Sequence, residues 1–90
     1  MIRPSAYRVS IKRSAEKDMD RLPRQVFGRI SQAILKLERD PRPPGCKKLR
    51  GLDEYRLRVG DYRVLYTVDD AVAIVEIVAV GHRRDVYRGL

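Results

Sequence analysis

The stretch Leu52–Val68, LDEYRLRVGDYRVLYTV, decides the fold, because apolar and basic residues alternate on both sides of Gly60-Asp61 as in a β-hairpin. A two-residue turn with glycine at a positive-φ position fixes how the flanking strands pair. The expected partners are Val59 with Tyr62, Arg58 with Arg63, Leu57 with Val64 and Tyr55 with Tyr66. The hairpin therefore has two chemically different faces.

Cross-strand partners share a face, so Arg56, Arg58 and Arg63 are expected on one side of the hairpin. The other side is apolar and carries Tyr55, Leu57, Val59, Tyr62, Val64 and Tyr66. Like charges directly opposite each other destabilise a sheet by a few tenths of a kcal/mol to about 1 kcal/mol. The basic face therefore calls for an acidic neighbour or an anion, and a phosphate group would serve.

Size and charge set the broad class. A chain of 90 residues is predicted to form one domain, residues 1–90. Its formal net charge is +8 and fifteen of its twenty basic residues are arginine, the side chain that binds phosphate with two parallel hydrogen bonds. Nucleic acid is the favoured partner, and a basic surface that serves solubility or attracts an acidic protein stays open as the alternative.

The sequence predicts neither membrane insertion nor export. Glu76 divides the apolar residues between Ala71 and Val80 into runs too short to span a bilayer. The N-terminal residues lack the apolar segment of a secretory signal. We therefore expect a cytoplasmic protein without membrane contact.

No metal site and no cofactor are expected. Cys46 is the one cysteine and His82 the one histidine, so a zinc site of cysteine and histidine ligands cannot be assembled. The adjacent Asp69 and Asp70 fit a turn better than a magnesium site.

The N-terminal half predicts a strand followed by two helices. Tyr7–Lys12 alternates like a half-buried strand, and Ser14 is expected to cap a short helix that runs to Leu22, with Glu16 and Asp18 near its positive end. Pro23 suits the first turn of a second helix, whose apolar stripe comprises Val26, Phe27, Ile30, Ala33, Ile34 and Leu37. The three prolines of DPRPPG, residues 40–45, end that helix in a loop.

After the hairpin, a turn at Asp69-Asp70 is expected to fold Val72–Val80 back as a third strand. A two-residue loop there would place Glu76 opposite Arg63 on the basic face. The predicted fold is thus α+β: an N-terminal strand, a two-helix hairpin and a three-stranded antiparallel meander, with the helices packed on one face of the sheet.

The residues expected on the open face suggest RNA chemistry. Arginines grouped around a tyrosine can assist RNA cleavage, because the RNA supplies its own 2′-hydroxyl nucleophile and the cations stabilise the transition state. Arginine stays protonated, so the candidate general base is Tyr87, and His82 is a possible secondary acid. In the structural alternative, Arg56 and Arg58 are solvated, Arg63 pairs with Glu76, and Tyr87 covers the core.

Three segments carry a family resemblance: KKLRG (47–51), YRLRVGDYRVLY (55–66) and VGHRRDVYR (80–88). Together they resemble the RelE family of the RelE/ParE toxin superfamily. The resemblance implies a catalytic set of Arg63, Arg83 and Tyr87, and phosphate binding by Arg56 and Arg58. Neighbouring Lys48, Arg50 and Arg84 are expected to bind RNA as well. One form of the family has lysines at the positions of Arg56 and Arg58, so proton transfer here would depend on Tyr87, with His82 or water.

The resemblance also implies a function. RelE toxins are metal-independent messenger RNA endoribonucleases that cut mRNA in the A site of the 70S ribosome and so inhibit translation. A cognate antitoxin holds them inactive, and the complex is expected to bind its own operator DNA through the antitoxin. Two alternatives stay open: a ParE-like toxin that poisons DNA gyrase, and an inactive toxin-like binding partner.

Overall fold

The computed structural model describes residues 6–49 and 54–86. Its elements are β1 (Arg8–Ile11), α1 (Arg13–Asp20), α2 (Arg24–Lys36), β2 (Cys46–Lys48), β3 (Glu54–Val59), β4 (Tyr62–Asp69) and β5 (Ile74–His82). The strands form one sheet in the order β1-β5-β4-β3-β2, with β1 parallel to β5 and every other pair antiparallel. The predicted α+β fold, with an N-terminal strand, two helices and an antiparallel meander, is confirmed.

The hairpin register is also confirmed. All four predicted pairs occur between β3 and β4, from Val59 with Tyr62 to Tyr55 with Tyr66. Gly60 has a φ of +60°, a conformation that an L side chain rarely adopts, so the glycine makes the tight turn possible.

The helices pack on the apolar face of the sheet. Val64 and Tyr66 of β4 are fully buried there, in one cluster with Ile30 and Ile34 of α2. Burial of an aliphatic side chain such as Val64 or Ile30 stabilises the fold by about 1.5–3 kcal/mol relative to its exposed state. Phe27, which the apolar stripe predicted in the core, is 42% exposed. None of the described helices is long and apolar enough to cross a bilayer.

The predicted cap of the first helix is wrong. Helix α1 begins at Arg13, Lys12 occupies the N-cap position without a side-chain cap bond, and Ser14 lies inside the helix. The cause is tertiary: the Lys12 N–H donates to the Ile77 carbonyl (2.9 Å), so pairing with β5 decides where the strand ends. The Asp18 carboxylate accepts a bond from the Val80 N–H (3.1 Å) instead of serving the helix end.

The predicted register of the last strand is wrong as well. Asp69 pairs with Ile74, which leaves a four-residue loop, and a bulge next to Leu65 shifts the remaining pairs. Glu76 therefore lies opposite Thr67, and the residue opposite Arg63 is Gly81. The Asp69 side chain accepts bonds from the Ala71 and Val72 N–H groups and stabilises this longer turn.

The proline-rich loop is fixed to the sheet by polar side chains. The Arg42 guanidinium donates to both carboxylate oxygens of Asp70 (3.2 and 2.9 Å) and to the Tyr55 hydroxyl (2.9 Å). The Tyr7 hydroxyl donates to the same Asp70 carboxylate (2.6 Å). These contacts, the Asp70 carboxylate first, raise the pKa of Arg42 above its ordinary value.

A second anchor lies beside this one. The fully buried Tyr66 donates its hydroxyl hydrogen to the Pro41 carbonyl (2.8 Å), and its ring stacks on Tyr55 with centroids 5.7 Å apart. Burial, and secondarily the Cys46 thiol, raises the pKa of the Tyr66 phenol well above its ordinary value. The two anchors hold the loop at the end of the sheet remote from the Gly60-Asp61 turn.

Candidate active site

The sheet face turned away from the helices carries the arginines, and we call it the arginine face: Arg56 and Arg58 of β3 with Arg63 of β4. Arg58 is paired with Arg63, and Arg56 with Leu65. Because the opposite face of both strands holds the helix-packed core, the alternation of the hairpin sorts the cations onto one surface.

Arg63 is a buried cation with fixed geometry. Its side chain is 5% exposed, and its Nη1 donates to the carbonyl oxygens of Gly60 (3.2 Å) and Tyr62 (3.0 Å). Arg58, its cross-strand partner, is exposed to solvent. These two carbonyl oxygens thus balance part of the positive charge of Arg63, a role that the predicted register gave to Glu76.

Residues 82–86 form a turn that is tied to the hairpin tip. The N–H groups of Asp85 and Val86 both donate to the His82 carbonyl (2.8 and 3.0 Å). The Arg83 N–H donates to the Asp61 carbonyl (2.8 Å), so Arg83 is held beside the turn that Arg63 also contacts. The backbone thus brings Arg83 to the end of the sheet where Arg63 lies.

Val86 packs over the same end of the sheet. It is 8% exposed, and a Cβ built on Gly81, the partner of Arg63, would meet the Val86 Cα and Cβ at 3.5 Å. Val86 of this turn therefore lies against Gly81 on the side of the arginine face. Tyr87, the predicted general base, and Arg50, a predicted RNA ligand, lie outside the described residues.

His82 has structural contacts. Its register partner is Tyr62, which places it on the opposite face from Arg63, and the two rings meet edge to face with centroids 5.5 Å apart. Its Nδ1 accepts a hydrogen bond from the Arg84 N–H (3.2 Å) and so caps the 82–86 turn. Both contacts are structural, and a role of His82 as secondary acid stays a prediction.

Lys48 does not join the arginine face. It is paired with Tyr55, on the face of the helices, and lines a cavity with Arg42 and Asp70. Its neighbour Lys47 is paired with Arg56 and shares the arginine face. Residues 46–48 form a strand that the sequence did not predict, and its register turns Lys48 away from Arg56 and Arg58, so RNA binding by Lys48 stays a prediction. The adjacent lysines in the sequence indicate this separation, since neighbouring residues of a strand point to opposite faces of the sheet.

The electrostatics favour an anion. Among residues 6–49 and 54–86, the side chains of Arg56, Arg58, Arg83 and Arg84 form no ion pair, whereas Arg42 does with Asp70. Uncompensated guanidinium groups beside an anchored, buried one can grip a phosphate and stabilise negative charge that develops on it.

Comparison with known proteins identifies the family of the chain. Residues 9–87 match the family described as ParE toxin of type II toxin-antitoxin system, parDE. Toxin RelG of Mycobacterium tuberculosis is 34% identical over 84 residues, which cover 91% of this chain and 97% of that protein. The chain belongs to the RelE family of type II toxin–antitoxin toxins. Toxin RelE of the same organism is another family member, 35% identical over 91% of this chain and 87% of its own length.

Solved RelE structures share the architecture. The archaeal RelE–RelB complex of Pyrococcus horikoshii contains a chain with a TM-score of 0.80 and 32% identity, over 89% of this chain and 98% of that one. The toxin–antitoxin complex RelBE2 of Mycobacterium tuberculosis gives a TM-score of 0.78 and 31% identity, over 87% and 99%. The RelE fold therefore extends over nearly the whole chain.

Proposed function

We propose that this RelE-family toxin, acting as one domain of residues 1–90, is a ribosome-dependent endoribonuclease that cleaves messenger RNA in the A site. The observation that supports it most is the convergence at one end of the sheet: Arg63 is anchored to the hairpin tip, and the Arg83 backbone is bonded to that same tip. A protein that only binds another protein does not require a buried, oriented guanidinium beside exposed ones.

The chemistry needs no metal ion. The 2′-oxygen of the RNA attacks the adjacent phosphorus, the bond from phosphorus to the 5′-oxygen of the next nucleotide breaks, and a 2′,3′-cyclic phosphate and a 5′-hydroxyl result. Tyr87 would accept the proton of the 2′-hydroxyl as phenolate, and a water or the resulting phenol would protonate the leaving oxygen. Arg63 and Arg83 would stabilise the charge that accumulates on the non-bridging oxygens.

The remaining cations would hold the substrate. Arg56 and Arg58 lie along β3 on the face of Arg63, at alternate positions that follow one strand. Arg84 is exposed next to Arg83 and extends the basic surface. Arginine is suited to this task because its planar group forms paired hydrogen bonds with phosphate.

We further propose a cognate antitoxin as the partner that keeps the toxin inactive, because the related toxins of Mycobacterium tuberculosis and Pyrococcus horikoshii occur in toxin–antitoxin complexes. An acidic antitoxin segment would be attracted to a chain of net charge +8. The complex would bind its operator DNA through the antitoxin, in the cytoplasm.

The test is primer extension on a message translated in a cell-free system to which the purified toxin is added. Discrete cuts at A-site positions are expected, and they should disappear when translation initiation is blocked before the toxin is added. Cuts that persist on naked RNA with equal efficiency would refute the requirement for the ribosome.

A gyrase poison is the second candidate, favoured by the match to the family described as ParE toxin. It predicts uncut message together with gyrase-linked DNA breaks in cells that express the chain. An inactive toxin-like partner predicts neither, and normal growth despite abundant folded protein.

A further inference from the structure

We infer that Lys47 and Arg56 form a second phosphate site, at the β2 edge of the arginine face, which holds a phosphate of the RNA other than the one that is cut. This inference rests on the proposed RNA-cleaving function. It adds a specific residue, Lys47, and a direction in which the strand of RNA leaves the reacting end.

The strand register places Lys47 beside Arg56. Lys47 on β2 is the direct partner of Arg56 on β3, and Arg58 on β3 is the direct partner of Arg63 on β4. Arg56 and Arg58 are two residues apart, so the first pair lies about 7 Å along the strands from the second. The line from Arg63 to Lys47 therefore runs diagonally outward across the sheet.

The surface at this pair has a cavity. A cavity of about 260 Å³ opens between β2 and β3, lined by Gly45, Cys46, Lys47, Arg56 and Arg58. Gly45 has a φ of +91°, and apart from its chain neighbours no residue comes within 4 Å of where its Cβ would be, so the rim of the cavity is open on that side. The cavity thus offers space for a phosphate beside all three cations.

The charges around this cavity are all positive. Within residues 6–49 and 54–86, the side chains of Lys47, Arg56 and Arg58 have no hydrogen-bond or ion-pair partner. Lys47 and Arg58 are exposed, and Arg56 is half-buried. Three cations around one cavity repel each other in the absence of a ligand, and an anion relieves that repulsion.

Lysine on an edge strand has another use, because a charge there discourages pairing with a second chain. A negative charge serves that purpose as well as a positive one. Lys47→Glu therefore separates the two roles: it preserves the protection of the edge and reverses the attraction for phosphate.

The experiment measures binding, so that it does not depend on cleavage. The full-length toxin is titrated by fluorescence anisotropy into a short labelled RNA with 2′-O-methyl groups throughout, which lacks the nucleophile for cleavage. Lys47→Ala is expected to weaken binding about three- to tenfold and to lower the slope of log K against log salt by about 0.7, the contribution of one phosphate contact on a single strand. Lys47→Arg should bind like the parent, and Lys47→Glu more weakly than Lys47→Ala.

The matched comparison is Lys48→Ala, which removes the same charge from the next residue of the same strand on the other face. Its effect on the salt slope is expected to be less than half that of Lys47→Ala. Equal effects of the two variants would reduce Lys47 to a contribution to net charge and overturn the site, as would absence of binding by the parent protein.

A polyglutamate peptide serves as a second probe. If Lys47→Ala weakened its binding as much as that of RNA, the cavity would be a site for acidic protein and the inference would be wrong. A Lys47-dependent salt slope in a toxin that cuts no message would leave this site standing and remove only the proposed reaction.

Discussion

Arg58 and Arg63 are direct cross-strand partners on one face of the sheet, yet their environments differ. Arg63 is 5% exposed and donates to the carbonyls of Gly60 and Tyr62, whereas Arg58 is exposed. One arginine thus stabilises the turn and is held in place by it, and the other is available to a ligand. The pair combines rigidity with access, which an electrostatic catalytic site requires.

This difference predicts opposite results for the same substitution. Arg63→Met leaves two turn carbonyls without their donor and should lower the free energy of unfolding by about 1–3 kcal/mol. For a domain of this size, each kcal/mol lowers the melting temperature by about 4–8 °C. Arg58→Met should change stability by less than about 0.5 kcal/mol. Thermal unfolding of both variants checks this, and equal losses would show that burial of Arg63 is not what stabilises the turn.

The proposed reaction predicts that Arg83→Ala lowers the cleavage rate about 10²–10³-fold, the usual effect of removing one group that stabilises transition-state charge. The Arg83 contact with Asp61 uses only the backbone N–H, so the melting temperature should stay unchanged. Arg24→Ala, on the helix side, is the control and should cut at the parent rate. A fully active Arg83→Ala would remove this residue from the site.

Tyr87→Phe removes the proposed base and retains the ring. The cleavage rate should fall about 10²–10⁴-fold, with RNA binding retained. Single-turnover cleavage on ribosomes, measured next to anisotropy with uncleavable RNA, separates the two effects. Cleavage at the parent rate would rule out the phenol as the base.

His82 should tolerate replacement by a residue that can still cap the 82–86 turn. His82→Asn supplies a side-chain acceptor for the Arg84 N–H, and we expect cleavage within about threefold of the parent, because asparagine is among the favoured capping residues. His82→Ala should lose about 0.5–2 kcal/mol of stability. Loss of cleavage in a stably folded His82→Asn would instead support the role of secondary acid.

Because of Tyr66, we predict that the free energy of unfolding falls at alkaline pH. The folded state raises the pKa of this phenol, so above about pH 10 the unfolded chain releases the proton while the folded chain retains it. Fewer protons on the unfolded state mean that stability falls as pH rises, by about 1.4 kcal/mol per pH unit from this group. Tyr66→Phe should be less stable at neutral pH, since it lacks the bond to Pro41, and its alkaline slope should be shallower by that amount. Parallel curves from urea unfolding across this pH range would contradict the assignment.

The sequence by itself determined the β-hairpin and the chemical difference between its two faces. Alternation around Gly60-Asp61 fixes both the pairing of Arg58 with Arg63 and the division between an apolar and a basic face, because the turn type and the two-residue repeat of a strand are local properties. The helix order and the loop at the prolines follow from equally local rules.

Tertiary structure decided which residues share the arginine face and its surroundings. The bulge beside Leu65 and the four-residue loop moved Glu76 away from Arg63, and pairing with β3 turned Lys47 toward Arg56 and Lys48 away from it. The attachment of Arg83 to Asp61 likewise depends on where β5 ends. These outcomes come from contacts between segments distant in the chain, and a shift of one residue in a strand reverses the face on which each side chain lies.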